Sequence, residues 1–431
     1  MTPSNRSWLP PYLDPGAFHP AAQECVILFN NPPFLFQDFV ARAIRFLESD
    51  TVQKMGFKYD RAAALPCKWK CSDESLFGVD LCLYAFTGQY PFDKGKIGGM
   101  YNEGSLGAAV HHAAINLDFG GSHVGYIPGP EGGRFGNVRR PLHVTEHSSD
   151  CGYLMSFIAP FKQTYDDARE NILIFSVEGE DSVFISIPNE YLQPGWSSHR
   201  IKLLANIELL TTSLVDYDIS KSHTHKVAGR TLFRLSEEFL SYIHPEKADR
   251  FRSPDMTPIG TELTAEYFDI FDSQAELGGD GSPVDRLLPY MKWILSSKLA
   301  PYQLKCAVTN TNIEYNKLTD SVRSEAFMPY GFASFTGIFI DIYDEDLGSY
   351  INLFQPTGIS IKPQGKIREI EIPPAEVREM FQKLEPAKPV IPCENVLNYK
   401  NAEKTLEKFT FKPGVFQRRW KDMHPGDFSS Y

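Results

Sequence analysis

Two cysteines and one histidine in the first part of the chain are the residues best suited to chemistry. Cys71 begins a Cys-Ser-Asp-Glu segment, His123 lies in Gly-Ser-His-Val-Gly, and Cys151 lies in Ser-Ser-Asp-Cys-Gly. Two thiolates and one imidazole suit Zn²⁺, and three protein ligands leave a fourth position for water or a carboxylate. These residue types therefore fit a catalytic zinc site.

The spacing of the three residues does not show whether they bind a metal. They lie far apart in the sequence, and no local zinc-finger pattern connects them. A buried cysteine often packs as a small apolar residue, and a histidine between glycines is often an ordinary loop residue. Residue types and spacing alone therefore leave both a metal site and an ordinary packed interior open.

The segments around these residues follow one another in an order that carries more information. They are Cys-Ser-Asp-Glu at 71–74, Leu-Gly-Ala-Ala-Val-His-His at 106–112, Gly-Gly-Ser-His-Val-Gly-Tyr at 120–126, a loop with Gly133, Gly136, Arg139, Arg140 and Pro141, and Ser-Ser-Asp-Cys-Gly at 148–152. In this order they resemble the limiting-CO₂-inducible B/C proteins, a branch of the β-type carbonic anhydrase-like zinc proteins. The resemblance covers about 58–159, fades towards 243 and does not extend to the second half.

The resemblance implies a fold, a metal and a reaction. The fold would be α/β, with a central sheet and flanking helices, and Zn²⁺ would be held by Cys71, His123 and Cys151, with Asp73 as the catalytic carboxylate beside them. Zinc lowers the pKa of a bound water from about 15.7 to roughly 7. The expected reaction is reversible hydration of CO₂, or of a related small molecule such as COS or CS₂, by zinc-bound hydroxide.

One position departs from the family pattern. In β-type enzymes an arginine two residues after the carboxylate pulls it off the metal, and here that position is Ser75. Without a cation, Asp73 would occupy the fourth zinc position and the chain would be weakly active, so that Ser75→Arg would raise the activity. Arg134, Arg139 and Arg140 are other sources of the charge. The alternative function is therefore a non-catalytic zinc-stabilised homologue that acts as a partner-binding protein.

Four further histidines are candidates for the chemistry. His111 and His112 end a predicted helix before the Gly-Gly-Ser-His segment, where one of them would act near the zinc or would simply hydrogen-bond the helix end. His223 and His225 stand at alternate positions and would face one side of an extended segment. A solvated loop accounts for that pair better than a second metal site.

The elements that would position these residues alternate between helix and strand. The spacing of apolar residues predicts helices at 36–47, 106–114, 199–216, 228–243, 283–299 and 374–384, and strands at 172–177, 183–187, 337–342, 350–354, 359–362 and 367–372. The charged, proline-rich stretch 245–258 predicts a boundary. It would separate a β-carbonic anhydrase-like zinc domain at 1–245 from an α+β C-terminal domain of unknown role at 259–431.

Composition limits the partners. The chain has 431 residues and a formal net charge of −11, which argues against a broad nucleic-acid surface and favours a small-molecule substrate. An odd number of thinly spread cysteines predicts reduced thiols. With no secretory signal and no long apolar run, the sequence predicts a cytoplasmic protein outside the membrane. A homodimer is expected, with Phe34, Phe36 and Phe39 supplying apolar surface.

Overall fold

The computed structural model describes most of the chain between residues 33 and 391. The described residues are 33–127, 134–140, 147–149, 151–176, 183–192, 201–205, 211–214, 229–235, 255, 257–260, 268–272, 286–295, 301–344 and 348–391.

These residues form both strands and helices. The strands are β1 Phe34–Leu35, β2 Ala64–Lys70, β3 Phe92–Asp93, β4 Gly95–Lys96, β5 Met100–Tyr101, β6 Ile115–Gly121, β7 His123–Ile127, β8 Arg134–Phe135, β9 Asn137–Arg139, β10 His147–Ser149, β11 Leu173–Ser176, β12 Val183–Pro188, β13 Ile201–Ala205, β14 Thr211–Leu214, β15 Arg230–Leu235, β16 Thr257–Pro258, β17 Phe268–Asp272, β18 Gly331–Asp344, β19 Ser349–Lys362 and β20 Ile370–Ile372. The helices are α1 Phe36–Leu47, α2 Asp50–Lys54, α3 Phe77–Thr87, α4 Gly104–His112, α5 Gly152–Asn171, α6 Met291–Leu295, α7 Tyr302–Val322 and α8 Pro374–Gln382.

A mixed sheet forms the core of the unit that contains residues from both ends of the chain, with strand order β1-β19-β18-β6-β2-β3. Strands β2, β6 and β18 are parallel neighbours, whereas β18 and β19 form a long antiparallel pair. Strand β7 continues beside β18 after β6 ends, with His123 opposite Phe339. The predicted α/β fold with a central sheet and flanking helices is therefore confirmed.

An aromatic layer covers one face of this sheet. Phe39 of α1 packs 4.5 Å from Phe354, and Phe119 stacks 4.8 Å from Phe335, measured between ring centroids. Phe36 is also fully enclosed. Burial of large aromatic side chains on this scale is a main source of stability, and it explains why the predicted amphipathic helix at 36–47 forms as expected.

The aromatic layer corrects one expectation about assembly. Phe34, Phe36 and Phe39 are only 7%, 1% and 0% exposed within a single chain. Phe34 lies 5.7 Å from Phe39 and 6.3 Å from the Phe381 ring of α8. These three side chains are part of the protein's own interior, so they do not provide the surface of a homodimer.

The compact units do not follow the boundary expected at 245–258. One unit comprises 1–155 together with 299–431, and the other comprises 156–298. The physical reason lies in the central sheet, because β18 from the second half pairs with β6 from the first. Pairing between strands so distant in sequence leaves no trace in the local composition.

The second unit contains an antiparallel sheet with strand order β14-β15-β12-β11-β16 and a separate pair, β13 with β17. Strands β11 and β12 agree with the prediction at 172–177 and 183–187. The helices predicted at 199–216 and 228–243 are wrong for the described residues there, which form β13, β14 and β15. The predicted helix 283–299 is represented by a 3₁₀ turn, Leu288–Tyr290, followed by α6.

The elements predicted at 337–384 agree better with the structure. Strand β18 contains the strand predicted at 337–342, and β19 contains both of those predicted at 350–354 and 359–362. Strand β20 covers part of 367–372, and α8 covers most of 374–384.

Among the described helices, none combines the length and the apolar character needed to cross a membrane.

Candidate metal centre

Cys71, His123 and Cys151 lie together in the structure, as the zinc prediction requires. Their ligand atoms all lie within 4.8 Å of one another, and all three residues are buried. In a tetrahedral zinc site the Zn–S and Zn–N bonds are about 2.3 and 2.0 Å, which places ligand atoms roughly 3.3–3.8 Å apart. The cluster could therefore bind a metal ion with small side-chain adjustments, and two sulfurs with one imidazole suit zinc.

The central sheet brings two of these residues to the same edge. Lys70 at the end of β2 is in register with Gly121 at the end of β6. Cys71 follows β2 directly, and His123 follows β6 after a single residue. Because the carboxyl ends of parallel strands share one edge of a sheet, ligands commonly bind there.

Gly121 lets the chain pass between β6 and β7 at this edge. Its φ is +150°, a backbone conformation that side chains rarely adopt. A Cβ atom at this position would lie 1.6 Å from the carbonyl oxygen of Gly337. Glycine at position 121 is thus required for His123 to reach the cluster.

Cys151 lies immediately before α5, which begins at Gly152. Its carbonyl oxygen accepts a hydrogen bond from the backbone N–H of Met155 at 2.9 Å, so it caps the first turn of the helix. Cys71 is fixed by the backbone N–H of Gly98, which donates to its sulfur at 3.1 Å.

The two thiols shift each other's pKa in opposite directions. The pKa of Cys71 is lowered to about 4, chiefly because the Cys151 thiol hydrogen-bonds to it; burial opposes this, and His123 and the Gly98 N–H lower the pKa further. The pKa of Cys151 is raised, first by the same hydrogen bond and then by burial. One thiolate is therefore already favoured, and a bound cation would displace the remaining proton, as metal binding to cysteine does in general.

Asp73 is paired with an arginine that lies far away in sequence. Arg140 donates from Nη1 to Asp73 Oδ1 at 3.1 Å and from Nη2 to Asp73 Oδ2 at 2.8 Å. Its Nε donates to Ser148 Oγ at 2.7 Å, and it also contacts Glu74. Of Arg134, Arg139 and Arg140, it is therefore Arg140 that supplies the positive charge beside Asp73.

This pairing sets the charge of the carboxylate. Burial raises the pKa of Asp73, but the hydrogen bonds from Arg140, with His123 and the Ser75 N–H, outweigh it and lower the pKa to about 2. The pKa of Arg140 is raised, because its hydrogen bonds and charge interaction with Asp73 outweigh burial. Both groups are therefore charged at neutral pH, in a two-point contact that gives the carboxylate a fixed direction.

The side chain of Ser75 is paired with a carboxylate on another strand. It has no exposed surface, and its Oγ donates to Asp341 Oδ2 at 2.6 Å. Asp341 lies on β18, within the apolar run Gly-Ile-Phe-Ile-Asp-Ile, and its Oδ2 is also 2.8 Å from His123 Nδ1. The sequence reasoning missed Asp341. The signal it carried was a carboxylate inside the otherwise apolar run 337–342, where a charge needs partners.

Helix α7 forms hydrogen bonds with the loops around Cys71 and His123. Asn310 donates from Nδ2 to the Gly98 carbonyl at 3.0 Å and to Ser122 Oγ at 2.8 Å. Thr311 Oγ1 accepts from the Ser122 N–H at 2.9 Å. The neighbours of Cys71 and His123 are thus held by residues from the second half of the chain.

Of the other histidines considered for the site, His111 and His112 lie in the described part of the chain and are not members of the cluster. His111 and His112 are exposed at the end of α4, where the His112 ring lies 5.3 Å from Phe92. His223 and His225 lie outside the described residues.

The chain was compared with known proteins and structures. No family model matches it, and no curated protein matches it. Among solved structures it is similar to PtLCIB4, a homolog of the limiting CO₂-inducible protein LCIB, with a TM-score of 0.40 and 14% identity over 77% of this chain and 93% of that chain. It is also similar to the limiting CO₂-inducible protein LCIB itself, with a TM-score of 0.35 and 14% identity over 79% and 93% of the two chains.

Proposed function

We propose that the chain is a zinc-dependent, carbonic anhydrase-like lyase that hydrates CO₂ reversibly, with COS and CS₂ as related small substrates. The observation that carries this proposal is the two-point ion pair between Arg140 and Asp73 beside a cluster of three potential zinc ligands. A carboxylate held by a guanidinium has little tendency to move onto a metal. The fourth zinc position is then left for water, as catalytic zinc sites require.

The chain's own residues would divide the work as follows. Cys71, His123 and Cys151 would hold zinc, which supplies hydroxide at neutral pH by lowering the pKa of water. Asp73 stays ionised because its pKa is lowered to about 2. It is therefore an acceptor that can orient a water molecule, while Arg140 keeps it in place.

The cellular compartment and the oligomeric state of the chain are part of the same proposal. Four cysteines of the described part of the chain, Cys67, Cys71, Cys151 and Cys306, are free and buried, which fits a reducing compartment such as the cytoplasm. A homodimer remains part of the proposal. Its apolar surface would come from Phe77 and Ile97, which are 58% and 57% exposed, rather than from the buried aromatic layer.

Stopped-flow measurement of CO₂ hydration by the zinc-loaded full chain tests this function. We expect hydration well above the uncatalysed rate, loss of activity after the metal is removed with a chelator, and recovery when zinc is returned. Asp73→Ala should keep the zinc and lose most of the activity.

Two other outcomes would change the conclusion. A chain that binds zinc tightly but does not accelerate hydration would be the non-catalytic zinc-stabilised homologue that binds partners. A chain that binds no zinc would rule out both functions.

A further inference from the structure

We infer that Asp341, held in place by Ser75 and Asn352, is a positioning residue that sets the orientation and the protonated nitrogen of His123 at the metal centre. The inference rests on the zinc site of the proposed function and assigns a role to two positions, 75 and 341, and to a pair of strands from the second half of the chain.

The contact between Asp341 and His123 is short and fully enclosed. His123 Nδ1 lies 2.8 Å from Asp341 Oδ2, and neither side chain has any exposed surface. A carboxylate has only acceptors, so His123 Nδ1 must carry the proton and donate it. The lone pair of the ring is then on Nε2, which is the nitrogen left to bind a metal. Metal-binding histidines usually have such a partner on the other nitrogen.

Three donors converge on the two oxygens of Asp341. Oδ2 accepts from His123 and from the Ser75 hydroxyl at 2.6 Å, and Oδ1 accepts from Asn352 Nδ2 at 2.8 Å. This is the pattern expected for an ionised carboxylate, which is acceptable in the interior only when it is paired and hydrogen-bonded.

The amide of Asn352 is itself fixed. Its Nδ2 donates to the carbonyl oxygen of Ser75 at 2.9 Å as well as to Asp341. A rotated amide would place its oxygen against two other oxygens, so Asn352 can only donate here. Ser75 thus contacts the network through both its hydroxyl and its backbone, and its role is to hold Asp341 rather than to substitute for the family arginine.

The substitution Asp341→Asn separates positioning from packing, because asparagine has nearly the same shape as aspartate. If the new NH₂ group faces Asn352, two donors meet and a buried group is left unpaired, which is costly. If it faces His123, Nδ1 must become the acceptor, and the proton moves to Nε2, where it blocks the metal. Either arrangement weakens the metal site, although the packing volume is kept.

Metal affinity of the full chain, measured by competition with a chromophoric zinc chelator, tests the inference. We expect Asp341→Asn to bind zinc about 10–100-fold more weakly than the wild type, and Ser75→Ala to be weakened by only a few-fold, because two of the three donors remain. Asp344→Asn is the matched control. Asp344 is on the same strand and is 2% exposed. Its replacement should leave the zinc affinity of the folded chain unchanged, even where it lowers the stability of the fold.

The outcomes separate this inference from the proposed function. If the wild-type chain does not bind zinc, both the proposed function and the role of Asp341 are overturned. If Asp341→Asn binds zinc as tightly as the wild type, only the role of Asp341 is overturned. Where Asp341→Asn does not fold, NMR of the ¹⁵N-histidine-labelled, zinc-loaded wild type decides. A proton on Nδ1 of His123 supports the inference, and a proton on Nε2 contradicts it.

Discussion

Replacing Cys151 with serine is expected to remove the metal from the chain and to lower its melting temperature. Cys71, His123 and Cys151 come from separate segments that a bound ion would connect, so part of the metal-binding free energy stabilises the fold. A serine hydroxyl is a poor zinc ligand at neutral pH. Each kcal/mol lost should lower the melting temperature by about 2–4 °C in domains of 150–250 residues. Elemental analysis after dialysis and thermal melting measure the two effects.

Cys306→Ser is the matched control for this variant. Cys306 lies on α7, is fully buried, and has a pKa raised to about 12 by burial alone. Its replacement tests the cost of a serine in the interior without touching the cluster, and it should keep about one zinc per chain. Full zinc content in Cys151→Ser would remove Cys151 from the ligand set.

Replacing Arg140 with alanine is expected to reduce CO₂ hydration by about 100-fold while zinc stays bound. Arg140 and Asp73 are 12% and 13% exposed at their side chains. Breaking such a mostly buried pair leaves an uncompensated charge, at a cost of about 3–5 kcal/mol. Asp73 can recover part of that energy by moving onto the nearby metal, where it would take the position needed by water. Stopped-flow rates and zinc content, measured on the same samples, show whether activity falls while the metal remains.

Arg139→Ala is the control for the loss of a positive charge in the same segment. The Arg139 guanidinium lies over the Tyr343 ring, 5.8 Å from its centroid. Its removal should change the hydration rate little. An equal loss of activity in both variants, or no loss in Arg140→Ala, would show that the contact with Asp73 does not control the site.

The fold was predictable where one local pattern determined it. The apolar spacing of 36–47 produced helix α1, and the largely apolar runs at 337–342 and 350–354 belong to β18 and β19. The apolar run at 201–205 fits both periods, because short runs do not distinguish helix from strand. Residues 201–205 form a strand because they pair with β17. The run itself does not indicate a partner that lies so far away in the sequence.

The candidate site was predictable to a similar extent. The ordered segments around Cys71, His123 and Cys151 indicated these residues as candidate metal ligands, and they do lie together. The sequence left the choice among Arg134, Arg139 and Arg140 open, since the loop that carries them has no regular period. The contributions of Asp341 and Asn310 were missed, because they depend on β18 and α7 packing against loops from the first half of the chain.

X-ray absorption at the zinc edge of the purified full chain is the most direct test of the metal centre. The account predicts a zinc-loaded protein with two sulfur ligands at about 2.3 Å and nitrogen or oxygen ligands at about 2.0–2.1 Å. That result would match two cysteines, one histidine and one open position. A spectrum with three or four sulfur ligands, or with none, would contradict the assignment of Cys71, His123 and Cys151 as the zinc site.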